Sequence, residues 1–245
     1  MRTLTLNTVC LTLVVSLVIA CGGSEESQTD YSQSDVGSTP DSSDFGVRDG
    51  SDAELGPDEG RTDVRAEVEC GSSGAFYVQN DLELLVGCER LKGRLQIIDY
   101  FETDVAEVNS LTHVDEGLIL VHAPSLKDLS DFQQLETVGQ TLMLAEILQI
   151  PTTDGLPNLK AVEGRVILRN LPLDDLHFPE LETVGGLDVI DMPNVTSLDG
   201  LAKLQLIDGD LDISIPGVDE VELEAFLQRV EVSGTIRLNG EFFSN

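Results

Sequence analysis

The chain has 245 residues, 45 of them acidic and 14 basic, and its formal net charge at pH 7 is −31. This charge argues against nucleic acid or an anionic lipid surface as a partner, because Lys and Arg are needed to neutralise phosphate. There is no Trp and only 4% of the residues are aromatic, so aliphatic side chains must supply the core.

The N-terminus is typical of a secretory signal peptide. Arg2 gives it a short positive start, and an apolar run follows from Leu11 to Ala20. The run is shorter than the roughly 20 apolar residues that a membrane-spanning helix needs. Residues 1–20 are therefore predicted to be a cleaved leader.

The end of that leader, VIAC from Val18 to Cys21, resembles the lipobox of bacterial lipoproteins. The resemblance implies a lipoprotein signal peptide, cleavage before Cys21 and attachment of lipid such as palmitate at that residue. The residue after the cysteine is Gly22 and not Asp. By the same resemblance, this favours an outer membrane lipoprotein of the bacterial cell envelope. An ordinary signal peptide with an incidental cysteine is the alternative.

Residues 21–67 are predicted to be the lipidated cysteine followed by a disordered acidic linker. The segment is rich in Ser, Asp, Glu and Gly and has few aliphatic residues, so it cannot bury enough apolar surface to fold. As a flexible tether it would reach roughly 35–40 Å. An acidic binding tail is the alternative.

Seven rows of apolar residues repeat through the rest of the chain. LETVG occurs at Leu135 and again 46 positions later at Leu181, which is a separation of two repeats. Within a row, apolar residues alternate with period two, as in a short strand with one buried face. The rows are Leu91, Gly93, Leu95, Ile97; Val114, Glu116, Leu118, Leu120; Val138, Gln140, Leu142, Leu144; Val162, Gly164, Val166, Leu168; Val184, Gly186, Leu187, Val189; Ile207, Gly209, Leu211, Ile213; and Val232, Gly234, Ile236, Leu238.

Further apolar pairs precede the rows, such as Leu173 with Leu176 and Val218 with Val221. Each repeat thus turns apolar residues inward on several sides and cannot bury them alone. Neighbouring repeats must stack, and the pattern predicts a mainly β, leucine-rich solenoid of about seven coils.

The stretch NDLELLVGCERLKGRLQI, from Asn80 to Ile97, resembles the receptor L domain of the insulin and epidermal growth factor receptor families. The L-x-x-V-x-G-x-L-x-I turns that follow extend the resemblance over residues 68–245. It implies a right-handed parallel β-helix with a short N-terminal capping helix and a Cys–Cys pair ahead of the first strand. Cys70 and Cys88 occupy the matching places. The remaining family cysteines are absent, so the growth-factor ligands are not carried over.

Cys70 and Cys88 are also the two cysteines that remain once the leader is cleaved and Cys21 is lipidated. In an exported, oxidising setting they are predicted to form a disulfide. Closing that loop would stabilise the fold by about 3 kcal/mol.

No pattern in the chain predicts catalysis, a metal site or a cofactor. His113, His122 and His177 fall in different repeats, and no catalytic or nucleotide-binding fingerprint occurs. The stretch DGDLDIS from Asp208 resembles the start of an EF-hand loop, but Ile213 stands at the obligatory Gly place, which favours a strand. The chain is therefore predicted not to be an enzyme.

The outward residues of the rows form an apolar patch in the middle repeats. Such a patch on a very acidic protein indicates contact with a partner, whereas β-branched residues that merely suit strands, or a covering loop, are the alternatives. The predicted partner-binding residues are Ile119, Val121, Met143, Ala145, Ile167 and Ile190.

Together these patterns predict a lipid-anchored, exported binding module. It would be attached to the membrane through its N-terminal lipid and recognise a protein or glycan, not nucleic acid, through the outer sheet face. Its location would be the surface or the periplasmic face of the outer membrane. The alternative is a structural or spacer lipoprotein of the envelope with no specific ligand.

Overall fold

The computed structural model describes residues 66–243, which are mainly β and form a parallel sheet. The predicted leader, Cys21 and the linker up to residue 65 lie outside the described residues. The strands are β1 (Glu69–Cys70), β2 (Phe76–Val78), β3 (Arg90–Leu91), β4 (Arg94–Ile98), β5 (His113–Val114), β6 (Leu118–Val121), β7 (Thr137–Val138), β8 (Leu142–Ala145), β9 (Ala161–Arg169), β10 (Thr183–Ile190), β11 (Leu206–Ile207), β12 (Leu211–Ser214), β13 (Glu231–Val232), β14 (Ile236–Leu238) and β15 (Glu241–Phe243).

Each repeat contributes to two parallel ladders. The first ladder runs β1, β3, β5, β7, β9, β10, β11, β13, and the second runs β2, β4, β6, β8, β9, β10, β12, β14. Strands β9 and β10 are long enough to take part in both. The sheet is not closed: β1 and β2 lie at one end, and β15 pairs antiparallel with β14 at the other.

The register confirms the rows that the sequence predicts. Leu118 pairs with Leu95 on one side and with Leu142 on the other, and the equivalent places pair in every following row. The row that is one residue short also aligns, because the register shifts between Val184 and Gly186. The repeat length therefore sets which residues become neighbours.

The inward side chains of the rows form one apolar core. Their aliphatic members are at most 8% exposed, and Phe132, Phe178 and Phe226 are fully buried beside them. Each fully buried side chain of this size contributes about 1.5–3 kcal/mol relative to an exposed one.

The prediction of seven rows behind a capping helix is incomplete. The helix is present as a 3-10 helix, Gln79–Leu85, but β1 and β2 precede it and add an eighth row. That row escaped the pattern because its strands, two and three residues long, carry mostly exposed side chains. Further 3-10 helices span Ala106–Val108, Ser130–Phe132 and Asp199–Leu201.

The prediction that Val221 points inward is wrong. It lies on helix α1 (Glu220–Arg229) and is 74% exposed, whereas Leu223 and Phe226 face the core. Asp219 caps this helix by accepting a hydrogen bond from the Glu222 N–H, with a distance of 2.9 Å. The connections before β5, β7 and β11 hold short 3-10 helices, whereas this last and longest connection holds an α-helix of ten residues.

Both ends of the described fold are fastened locally. Cys70 and Cys88 form the predicted disulfide pair, with Cα atoms 5.9 Å apart. At the other end Asn239 and Gly240, with φ of 50° and 85°, make the two-residue turn between β14 and β15.

Close approach of neighbouring repeats leaves no room for a side chain at several glycines, of which Gly164 is an example. A Cβ on Gly164 would lie 2.0 Å from the carbonyl oxygen of Gln140, whereas one on Gly117 would lie 3.2 Å from its nearest neighbours. We therefore expect Gly164→Ala to lower the free energy of unfolding by about 3 kcal/mol and Gly117→Ala by less than about 1 kcal/mol. Urea unfolding measures both. Equal effects would contradict the packing described here.

Candidate functional site: the outer sheet face

The outer face of the second ladder carries the predicted patch. Ile119, Met143 and Ile167 are consecutive register partners across β6, β8 and β9. Val121 and Ala145 form the neighbouring column. They point outward because the alternate residues of the same strands are buried in the core.

Burial divides the six predicted residues. Ala145 is only 3% exposed, because its small side chain lies below the surface. The prediction that Ala145 contacts a partner is corrected accordingly. The other five are half-buried, because each outward side chain in a parallel sheet is flanked by its register partners. The patch is therefore a shallow aliphatic surface.

The structure extends this surface toward the N-terminal end. Val78 lies in β2, whose Cα partner Gln96 precedes Ile119 in the same column. Phe76 is 60% exposed, Val78 37% and Ile98 39%. Phe76 and Val78 are not among the predicted residues, because both precede the first leucine row at Leu91. The period-two pattern of Phe76–Val78 was the signal available.

We name the outer sheet face as the set Phe76, Val78, Arg94, Gln96, Ile98, Ile119, Val121, Met143, Arg165, Ile167, Arg169, Asp188, Ile190, Asp210, Asp212 and Arg237. Its N-terminal half also contains a stacked cation: the guanidinium of Arg94 lies 5.2 Å from the ring centroid of Phe76. Arg94 Nη2 also donates to Gln140 Oε1 at 3.1 Å.

The C-terminal half of the outer sheet face is ionic. Arg165 Nη1 lies 2.6 Å from Asp188 Oδ1, and its Nη2 lies 3.1 Å from Asp210 Oδ2. Arg237 Nη1 lies 3.2 Å from Asp212 Oδ2 and its guanidinium stacks on Phe242. The outer sheet face as a whole contains four arginines and three aspartates, so it is close to neutral on a protein of net charge −31.

Asp210 is held in its charged form by two donors. The Thr235 N–H donates to it at 2.9 Å, and this bond, followed by Arg165, holds the pKa of Asp210 below its ordinary value. The EF-hand alternative fails in the structure, because Asp208–Ser214 leads into β12 with Leu211 and Ile213 buried.

The three histidines pair separately with carboxylates. His113 Nδ1 lies 2.9 Å from Glu67, and His122 Nδ1 lies 2.5 Å from Asp99. His177 Nε2 lies 3.9 Å from Asp154. Within residues 66–243, no group of three or more His, Cys, Asp or Glu residues is arranged to hold a metal ion.

A concave surface lies at the C-terminal end of the sheet. It has a volume of about 500 Å³ and lies between α1 and the β14–β15 hairpin. Leu223, Leu227 and Phe243 line it together with Glu220 and Glu224. It lies apart from the predicted patch and contains none of its residues.

Comparisons with protein-family models, with curated proteins and with solved structures find no match to this chain. Among the described residues, no helix has the length and apolar character needed to cross a membrane. Cys21, the predicted lipidation site, lies outside the described residues.

The lowered pKa of Asp210 makes stability depend on pH in a defined direction. The charged carboxylate stabilises the fold above the ordinary Asp pKa, and this contribution is lost as pH falls through the lowered folded value. We expect the stability advantage of the native chain over Asp210→Asn to shrink as pH falls from about 5 to 2. Urea unfolding along this pH range measures it, with Asp199→Asn as the exposed control. A pH-independent difference would contradict the assignment.

Proposed function

We propose that this chain is a lipid-anchored, exported binding module that recognises a protein or glycan partner through its outer sheet face. One observation carries the proposal. Half-buried apolar side chains of three neighbouring strands, such as Ile119, Met143 and Ile167, form one surface, and Val121 of the same surface has the exposed Ile98 as its register partner. Contiguous apolar surface of this kind on a strongly charged protein is typical of an interaction site.

We also propose that the repeats wind as a right-handed β-solenoid of the receptor L-domain type. Supporting this are the two parallel ladders and the pairing of each row with the next at equivalent places. A stack of this kind is stiff, because each repeat is packed between two others. Recognition by a preformed surface avoids the entropy cost of ordering the contact residues.

The binding role is preferred over catalysis and over a passive spacer. The ion pairs of the outer sheet face, such as Arg165 with Asp188 and Asp210, satisfy one another, as expected of structural pairs. A spacer would need no apolar patch, and polar outward residues would serve it better. The experiment below distinguishes a binding module from a spacer.

Charge placed in the centre of the patch should remove the partner. We expect Met143→Asp and Ile167→Asp to reduce formaldehyde cross-linking of the full chain to its partner in cells by tenfold or more. Burying an unpaired carboxylate in an apolar contact is strongly unfavourable. Thr183→Asp, at an exposed place in the first ladder, is the matched control. Circular dichroism and thermal unfolding check that each variant folds.

If all three variants cross-link as the native chain does, the outer sheet face is not the binding surface. If the native chain yields no specific product, the envelope spacer becomes the better account.

The proposed anchor is tested at Cys21. A stalk of acidic residues behind a lipidated cysteine would let the folded part reach away from the outer membrane, on its outer or periplasmic side. We expect Cys21→Ser to move the chain from the membrane to the soluble fraction and to abolish incorporation of labelled palmitate. Cys10→Ser, in the predicted leader, is the control. A chain that stays in the membrane fraction after Cys21→Ser would contradict lipid anchoring.

A further inference from the structure

One arginine of the outer sheet face differs from the rest in having no partner. Among the arginines in residues 66–243, Arg90 pairs with Asp115, Arg165 with Asp188 and Asp210, and Arg237 with Asp212. Arg94 donates to Gln140 and Arg229 donates to the carbonyl of Leu198. Within the described residues, the side chain of Arg169 makes no hydrogen bond, ion pair or ring contact.

This unpaired cation is unexpected on this protein. Acidic residues outnumber basic ones by 45 to 14, so a carboxylate is within easy reach of most surface positions. Three of the four lysines in the described residues, Lys92, Lys160 and Lys203, each pair with a Glu. The free guanidinium of Arg169 therefore reflects its surroundings.

Arg169 lies at the border of the patch. It ends β9 and is the register partner of Ala145 in β8 and of Ile190 in β10. Ile167 lies two residues earlier on the same face of the same strand. Arg169 is exposed and its two register partners are apolar. Exposed acidic residues follow both partners, at Glu146 and Asp191, but within the described residues neither forms an ion pair with Arg169.

This arrangement restricts what can cover the patch. A partner that buries the aliphatic residues must also remove water from Arg169, and a desolvated cation without an acceptor is costly. The partner must therefore bring a hydrogen-bond acceptor to this point. A planar guanidinium binds a carboxylate through two parallel hydrogen bonds, which makes a carboxylate the best match.

The same surface favours a protein as the source of that carboxylate. The patch residues nearest Arg169, which are Met143, Ile167 and Ile190, are aliphatic or Met, and an Arg beside such a surface is typical of protein interfaces. A polyanion would be repelled by the net charge of −31. A single Asp or Glu on an otherwise neutral or basic protein surface avoids that repulsion.

We propose that the partner of the outer sheet face is a protein that places an Asp or Glu side chain against Arg169 while its apolar residues cover Met143, Ile167 and Ile190. This inference rests on the proposed function and names the partner's chemistry at one point. Arg169 then sets specificity, because a partner without the carboxylate leaves the guanidinium buried and unpaired.

The test is photo-cross-linking in living cells with the full chain. Benzoylphenylalanine replaces Ser214, which is the register partner of Ile190 and is not one of the residues that define the outer sheet face. Cross-linked yield is compared between the native chain, Arg169→Lys, Arg169→Glu and Lys127→Glu. Lys127 is the matched control, an exposed cation outside the outer sheet face. Thermal unfolding of each purified variant checks the fold.

We expect the native chain and Lys127→Glu to give equal yields, Arg169→Lys an intermediate one, and Arg169→Glu a loss of tenfold or more. Mass spectrometry then identifies the cross-linked partner segment. Changing its acidic residues one at a time to Arg should restore the yield with Arg169→Glu at one position. Such a rescue requires direct pairing and would not follow from a merely structural role.

Three results would overturn the inference while leaving the binding role in place. These are an unchanged yield with Arg169→Glu, a product that contains only two copies of this chain, and a cross-linked glycan in place of a protein. Absence of any product from the native chain would instead overturn the proposed function.

Discussion

Backbone hydrogen bonding between consecutive repeats is the constraint on which the rest of this structure depends. The N–H groups of Thr112, Glu136, Lys160 and Glu182 each donate to the carbonyl of the equivalent residue one repeat earlier, at 2.7–2.8 Å. No strand of the first ladder between β1 and β7 is longer than two residues, so a repeat has almost no backbone pairing of its own. Its order comes from its neighbours, and the stack is stable only as a stack.

The same register that builds the core also builds the outer surface. Because equivalent places lie directly above one another, a side chain that points outward in one repeat extends a column begun by the others. Along one column the outward residues change from apolar at Ile119 to ionic at Asp212, while the inward residues of the same strands stay apolar. The outward surface is thus encoded separately from the fold that supports it.

The sequence predicted the core well, because the spacing of apolar residues directly records the repeat. The register of all seven rows, including the shortened row at Gly186, follows from aligning Leu and Val. The additional row formed by β1 and β2 was not predicted, because β2 is mostly exposed. Helix α1 was not predicted, because Val221 fits the apolar spacing although Asp219 caps a helix there. The buried residues can be predicted from the sequence where the apolar period alone determines them. They cannot be predicted where a local helix cap overrides that period.

The candidate site was predictable only in part. The outward places were identified correctly, yet the depth of Ala145, the stacking of Arg94 on Phe76 and the isolation of Arg169 depend on side chains from different repeats. Alternation assigns a residue to a face, but it does not give the neighbours that determine how exposed it is. The arginine–aspartate ion pairs of the C-terminal half likewise depend on which long side chains extend beyond the neighbouring repeat, as Arg165 extends to Asp210.

Oxidation of Met143 tests the central claim, that the outer sheet face is covered by a partner in the cell, most directly. Met143 is half-buried in the middle of that face, and Met192 is fully buried in the core and serves as an internal control. Isolated envelopes and the purified full chain receive the same peroxide dose, and mass spectrometry follows the sulfoxide of each methionine. The account predicts that Met143 is oxidised severalfold more slowly in envelopes than in the purified chain, while Met192 is protected in both. Equal oxidation of Met143 in the two samples would contradict it.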